Sequence, residues 1–269
     1  MTTEEKVPYL PLTPVNKILT DEECPNITIC IPCYKRKEFI PLMLCNLIQL
    51  DYPPDKIQVN ILQDGEEDLF TPAELNFFKE KLKPATLQYK YEKNIRRTIG
   101  EKRNLLVKSS KNKIILMMDS DDIYFPTYAR YSVSALKENK AGITSSASMM
   151  FIYPKLDYKI TGIRCGHKHQ GHEAVMCFTK KHWKQMGGFI SRGGNGNQGE
   201  GVKMISYNEK QMVNLDVRLL MICVAHDDNT ICKDRFIDCN MPGDLKDMPQ
   251  LQILKEIFRP RNQLQNAPF

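Results

Sequence analysis

The sequence predicts an α/β domain with a mostly parallel central sheet flanked by helices. Two patterns carry that expectation. Short apolar or alternating runs recur at 27–32, 57–62, 85–92 and 113–118, and segments of helical period lie between them and after the last. Strand–helix–strand spacing of this kind produces parallel pairs joined by right-handed crossovers. Ligands of such open sheets sit at the carboxyl ends of the strands, so the residues that follow each strand carry the functional information.

Residues 1–25 hold four of the sixteen prolines and read as an extended arm. ITICIP at 27–32 is β-branched and apolar, hence a buried strand. EFIPLMLCNLIQL at 38–50 places Phe39, Leu42, Met43, Leu47 and Leu50 on one helical face, with Pro41 tolerated in the first turn. After the turn DYPPD, IQVNIL is the second strand, ELNFFKEKL at 74–82 a helix, and ATLQYKYE at 85–92 a strand. A helix over 99–109 leads into KIILMM at 113–118, and Pro126 opens a helix that closes near Asn139. The second half is irregular, with strands expected at 143–152, 174–178 and 217–225 and a mobile glycine-rich loop at 191–201. One domain over 26–240 is expected, divided into 26–140 and 141–240, with a C-terminal tail at 241–269.

At 269 residues, with 42% apolar and 26% charged residues, the chain has the composition of a globular protein. No apolar run approaches the roughly 20 residues of a membrane-spanning helix. A net charge of +6 favours anionic small ligands, and without a long Lys/Arg block or an aromatic RNA-binding motif no nucleic-acid partner is expected. Nine cysteines and an N-terminus lacking basic and apolar leader regions predict a reducing, cytoplasmic setting. Cys30 and Cys33 form a CxxC at a strand end without a second pair, so they read as core residues.

The strongest chemical signal is Asp119-Ser120-Asp121-Asp122, directly after the apolar strand. Carboxylates there suit Mn²⁺ or Mg²⁺, which bridges one or two of them to substrate phosphates. On an extended chain Asp119 and Asp121 would share a face; Asp122 alone would also serve as a helix cap. Arg96, Arg97, Lys102 and Arg103 crowd a helix start and suit a diphosphate, or equally a solvated face with Glu101. Gln63-Asp64-Gly65 follows the second strand, where Asp64 could meet a ribose or base edge. Pro32, Cys33, Tyr34, Lys35 and Arg36 follow the first, where Tyr34 offers a ring for base stacking. His226 ends the run 217–225 and is expected to reach the same cation, or else to pair with Asp227 or Asp228. His167, His169 and His172, with Cys165, form a local cluster read as acceptor-pocket polarity. The P-loop, dinucleotide-binding and nucleophile-elbow motifs are missing.

ITICIPCYKR, ILQDGEEDL, GEKRNLLV and IILMMDSDD, in this order, resemble the donor half of GT-A glycosyltransferases of the family 2 type. The resemblance covers about residues 27–126 and departs from the family pattern at Gln63 and Lys102. It implies a GT-A-like fold, a nucleotide-sugar donor that is often UDP-linked, and a divalent metal. By it, Asp64 meets the base, Arg103 the diphosphate and Asp121 the metal, with Asp119 on metal or ribose. Pro32, Tyr34, Arg36, Asp64, Arg103, Asp119 and Asp122 thus become candidates for the donor site, and Asp119, Asp121 and His226 for the metal. HEAVMCFTKKHWKQMGGF at 172–189 resembles the segment that ends in Gly-Gly-Phe before a Glu-Asp pair bearing the catalytic base. Here Gly199-Glu200-Gly201 stands in that place, making Glu200 the candidate base. The processive-synthase signature Gln-x-x-Arg-Trp is absent. The expected activity is inverting, metal-dependent transfer of one hexosyl or pentosyl residue to a hydroxyl acceptor such as a glycan. The alternative is a non-catalytic nucleotide-sugar-binding module.

Overall fold

The computed structural model describes residues 10–164, 171–191, 199–206, 212–229, 232–239 and 248–259. The first half follows the expected alternation: β1 (Ile27–Cys33), α1 (Ile40–Ile48), β2 (Ile57–Gly65), α2 (Pro72–Leu82), β3 (Thr86–Lys93), α3 (Ile99–Ser109) and β4 (Ile114–Met117). Next come β5 (Ile123–Tyr124), α4 (Tyr128–Glu138), β6 (Ile143–Ser145), β7 (Ser148–Tyr153) and β8 (Lys159–Arg164). The chain continues with β9 (Cys177–Thr179), α5 (Lys180–Gln185), α6 (Val202–Ser206), β10 (Met212–Asn214), β11 (Met221–Val224) and α7 (Pro249–Ile257).

Seven strands form one sheet in the order β10-β6-β9-β4-β1-β2-β3. Its pairs are parallel except those of β9, which runs antiparallel to both β4 and β6. β1 lies near the centre with every residue buried. Its Ile27, Ile29, Ile31 and Cys33 face one core, while Cys30 faces the other with Leu106, Val107 and Met117. Cys30 and Cys33 therefore point to opposite sides of the sheet, and burial pushes the Cys33 thiol up to about 12. The two cysteines are packing residues. α2 and α3 each open with a capping box, Thr71 with Glu74 and Thr98 with Glu101, which sets where the crossovers begin.

The second half departs from the expected strands. The run 143–152 is two strands in different sheets, because the chain bends at Ser146–Ala147, where Ala147 N–H donates to Asn214 Oδ1 at 2.7 Å. Apolar continuity cannot tell one long strand from two short ones serving different sheets. Both 174–178 and 217–225 open as 3-10 turns, at Glu173–Val175 and Val217–Leu219, and become strands only at their ends. A second sheet, ordered β5-β11-β7-β8, was not anticipated. It shares a core with α1 and α7 through Leu42, Phe39, Ile152, Val224 and Leu254. Residues 10–25 lie along the surface: Asn214 donates to Leu10 O, and Arg130 on α4 donates to Leu19 O. Among the described residues, no helix is long and apolar enough to cross a membrane.

Candidate active site

The carboxyl ends of β1, β2 and β4 lie side by side, since Cys33 pairs with Gln63 and Met118 N–H bonds to Cys30 O. Three charged groups of the site grow from these ends. Each contains a carboxylate that the sequence singles out.

The first centres on Asp64, which is fully buried. Its Oδ1 accepts from Lys102 Nζ at 2.7 Å, and its Oδ2 accepts from the Arg97 backbone N–H at 2.7 Å and Arg96 Nη1 at 3.4 Å. Arg97 in turn forks onto Glu92. Burial lowers Lys102, and the hydrogen bond and charge of Asp64 oppose it. Pro32 is buried within β1, directly ahead of this group. Tyr34, half-buried, has the Arg96 guanidinium 3.5 Å from its ring centre. The ring also lies on Gly65, whose φ of +114° and a Cβ position only 3.0 Å from the tyrosine ring admit no side chain.

The second group surrounds Asp121. Residues 119–122 are not extended as expected: the chain turns at Ser120 and Asp121, sending the two outer carboxylates to different partners. Asp121 Oδ2 lies 2.7 Å from Arg36 Nε and 3.0 Å from His226 Nε2. Arg36 Nη2 also donates to Asp228 O at 2.7 Å. Burial works to raise the Asp121 carboxyl, but the His226 hydrogen bond and the charges of Arg36 and Lys233 hold it below its ordinary value. Asp122 is buried, and its Oδ1 accepts from Val224 N–H at 2.8 Å, tying the turn between β4 and β5 to β11. Burial pushes Asp122 up to about 7, with Lys233 opposing. His226 Nε2 is on Asp121, whereas Asp227 pairs with Lys155 at the surface.

The third group is built on Arg103, whose side chain is 3% exposed. Its Nη2 reaches Asp119 Oδ1 at 3.1 Å, its Nη1 donates to Glu173 O at 2.8 Å, and its Nε lies 3.3 Å from Glu200 Oε1. Burial raises Asp119 and Glu200, and in both cases Arg103 opposes it. Glu173 is pushed up to about 7 by burial and by Glu200.

Three consecutive residues of α3 thus serve three purposes. Lys102 holds Asp64 and donates to Cys33 O at 2.8 Å, Arg103 holds the carboxylates, and Asn104 pins the segment from Trp183 to Phe189. Asn104 Oδ1 accepts from Trp183 Nε1 and Phe189 N–H, both at 2.9 Å. A helix turns about 100° per residue, so neighbouring side chains reach different loops. Sequence reasoning missed Lys233 and Glu173. Lys233 donates to Val224 O at 2.8 Å; burial lowers it, but Asp122, Cys223, Asp121 and Asp119 raise it above its ordinary value. Nothing local in the sequence marks either residue, because their partners lie far along the chain.

Among the described residues, no three His, Cys, Asp or Glu side chains close around one point. Asp121 and His226 nevertheless bring an oxygen and a nitrogen within 3.0 Å of each other from opposite halves of the chain. Mn²⁺ and Mg²⁺ commonly rest on one or two carboxylates, with phosphates and water completing the shell, and Mn²⁺ accepts imidazole as well. The donor pair fits such an ion, although Arg36 competes for the same carboxylate oxygen. His167, His169, Cys165 and the middle of the glycine-rich loop, 192–198, lie outside the described residues. His172 is buried with Nε2 3.2 Å from Cys223 Sγ, and burial pushes it down to about 3. It is a neutral core residue.

The family model described as Glycosyl transferase family 2 matches residues 28–190. Among solved structures, the chain is similar to the mannosyltransferase PcManGT from Pyrobaculum calidifontis in complex with GDP-Man and Mn2+. That match has 19% identity and a TM-score of 0.59, and covers 83% of this chain and 62% of that one. It is also similar to S. aureus TarS 1-349 in complex with UDP, at 14% identity and a TM-score of 0.56, covering 74% of this chain and 60% of that one. The chain therefore spans less than two thirds of the length of either structure. No curated protein matches it in sequence.

Proposed function

The chain belongs to glycosyltransferase family 2, and from that premise we propose that it moves a single hexosyl or pentosyl residue from a nucleotide-sugar to a hydroxyl acceptor. A UDP-sugar is the proposed donor, a glycan or other hydroxyl compound the acceptor, and inversion at the anomeric carbon the outcome. The observation that supports this best is the meeting of Asp121, His226 and Arg36 at the open ends of β1 and β4. The GT-A fold, expected from the sequence, is shared with the solved structures above.

In this reading residues 26–140 form the donor half and 141–240 the acceptor half of a domain over 26–240, between an arm at 1–25 and a tail at 241–269. The base lies by Tyr34 and Arg96, and Asp64 serves it by holding Arg96, Arg97 and Lys102 in place. Pro32 fixes the end of β1 below the nucleotide, and Arg36 and Arg103 face the diphosphate. Asp122 keeps Asp121 and His226 in register by bonding the β11 backbone. Asp121 and His226, with Asp119 beside them, would hold Mn²⁺ or Mg²⁺, which supplies positive charge against the leaving diphosphate. Glu200 takes the proton of the acceptor hydroxyl as its oxygen bonds to the anomeric carbon. The sugar–phosphate bond breaks with its electron pair on the diphosphate, where Arg103 offsets the growing charge. A cytoplasmic location is part of the proposal.

The direct test is a thermal-shift screen of nucleotide-sugars with and without Mn²⁺, followed by assays of donor hydrolysis and transfer. Donor-dependent stabilisation together with turnover supports the enzyme. The non-catalytic binding module is favoured by Gly201, which stands where the family carries the Asp of its Glu-Asp pair. Tight donor binding with neither hydrolysis nor transfer would establish that reading instead.

A further inference from the structure

Glu173 opens the 3-10 turn before β9, and Glu200 lies on the turn that leads to α6. The two are brought together by Gly201. A Cβ built on Gly201 would lie 2.6 Å from Glu173 Cγ and 3.3 Å from Glu173 Oε1. Only glycine at 201 leaves room for the Glu173 carboxyl beside the Glu200 backbone, so the missing side chain after Glu200 makes space for a carboxyl from elsewhere. Arg103 is the cation common to both: it donates to the main-chain carbonyl of Glu173 and forms an ion pair with the Glu200 carboxylate at 3.3 Å. Its remaining terminal nitrogen is committed to Asp119. One guanidinium thus touches the carboxylates of Asp119 and Glu200 and the main chain of Glu173.

We propose that Glu173 and Glu200 form a proton-sharing pair, with Glu200 the proton acceptor from the sugar acceptor's hydroxyl and Glu173 the positioning residue that sets its basicity. This rests on the functional reading above. Two buried carboxyls set beside each other keep one proton between them until a pH well above the ordinary carboxylate range. The groups facing Glu173 agree: burial and Glu200 raise it to about 7, and Arg103 and the Gly201 backbone amide oppose them. Neighbouring His172 is neutral, and Asp119, on the same guanidinium, also raises Glu200. The doubly ionised pair accepts a proton far more readily than a solitary carboxylate. On transfer, the hydroxyl O–H breaks, its proton passes to Glu200, and the pair later releases one proton to water. With water in place of the acceptor, the same step hydrolyses the donor.

The test is the pH profile of UDP-GlcNAc and GDP-mannose hydrolysis by the wild type, E173Q, E173D and E200Q. The wild-type acid limb of kcat/KM is expected near neutrality. E173Q should move that limb toward acid by one unit or more, E173D should restore it, and E200Q should lose turnover at every pH. A readout independent of activity accompanies it: the melting temperature of wild type relative to E173Q. The native pair retains a proton that the unfolded chain has released, so between about pH 5 and pH 8 wild type should lose stability relative to the variant. An E173Q limb that coincides with wild type, or a melting difference that stays flat with pH, overturns the pair. Absence of turnover in wild type overturns the proposed function, and with it the catalytic use of the pair, even where the melting difference stands.

Discussion

Two carboxylates at the ends of the strands on either side of β1, Asp64 and Asp121, meet opposite surroundings. Asp64 is fully buried, with both oxygens held by Lys102 and the Arg96–Arg97 segment. Around Asp121 the balance is reversed: Asp119, Asp121, Asp122, Glu173 and Glu200 stand against Arg36, Arg103 and Lys233. Burial raises the carboxyls of Asp122 and Glu173, and the neighbouring carboxylates add to it. A balanced group has little left to offer a ligand and acts as scaffold. An unbalanced one gains by taking up a cation or a proton, and that is where chemistry is expected.

The largest expected effect tests the scaffold. Asp64→Ala leaves the Lys102 ammonium buried without its partner, which should destabilise the fold by about 3–5 kcal/mol in urea unfolding. Asp121→Ala takes one partner from Arg36, which keeps its bonds to the main-chain oxygens of Tyr34, Lys35 and Asp228, and should be less damaging. That variant should instead lose the Mn²⁺-dependent part of UDP affinity in calorimetry. Equal destabilisation by the two substitutions would dissolve the contrast. Equal UDP binding by wild type in EDTA and in Mn²⁺ would remove the metal from the proposal.

Next in size is Glu200→Gln, expected to reduce turnover by about two orders of magnitude or more while donor affinity changes little. Wild-type-like transfer by that variant would exclude Glu200 as the base. His226→Ala is expected to weaken UDP–Mn²⁺ binding by about an order of magnitude, the scale on which support of a metal site is felt. Metal-free UDP binding should be unchanged, and a loss of both alike would mean that His226 only packs against Phe39 and Asp121.

How far this contrast was legible in the sequence depends on distance along the chain. β1 and β4 were readable as continuous apolar runs and β2 from its alternation, and Asp64 and Asp121 stand at or just beyond their ends. The state of each carboxylate was not readable. Asp121 is set by Arg36, 85 residues before it, and by His226, 105 residues after it. The turn at Ser120 that separates Asp119 from Asp121 leaves no pattern in Asp-Ser-Asp-Asp. In the second half, β10 has only three residues, too few for a period to emerge, and the six-residue β8 and the second sheet also went unseen. Lys102 illustrates the gap: the sequence placed it at a helix start, where a solvated lysine fits equally well, and only the fold buries it on Asp64.

The smallest effect separates the two groups by the sign of their pH response. In the Asp64 group, the hydrogen bond from Arg97, with help from Lys90, holds Glu92 down to about 2 against burial. A carboxyl whose folded value lies below its unfolded one stabilises the fold above the unfolded value, near 4.5, and loses that contribution as pH falls toward 2. Glu173 behaves in the opposite sense, because its folded value lies above the unfolded one and its contribution declines as pH rises toward 7. Glu92→Gln should therefore melt a few degrees below wild type at pH 7, since about 1 kcal/mol moves a chain of this size by roughly 2–4 °C. The gap should close as pH falls from 4.5 toward 2.5. Because the side chains of Arg97 and Lys90 are 29% and 62% exposed, added salt should narrow the gap at pH 7 as well. A gap independent of pH would mean that Glu92 contributes shape alone, and the balanced group would then owe its stability to Asp64 and Lys102.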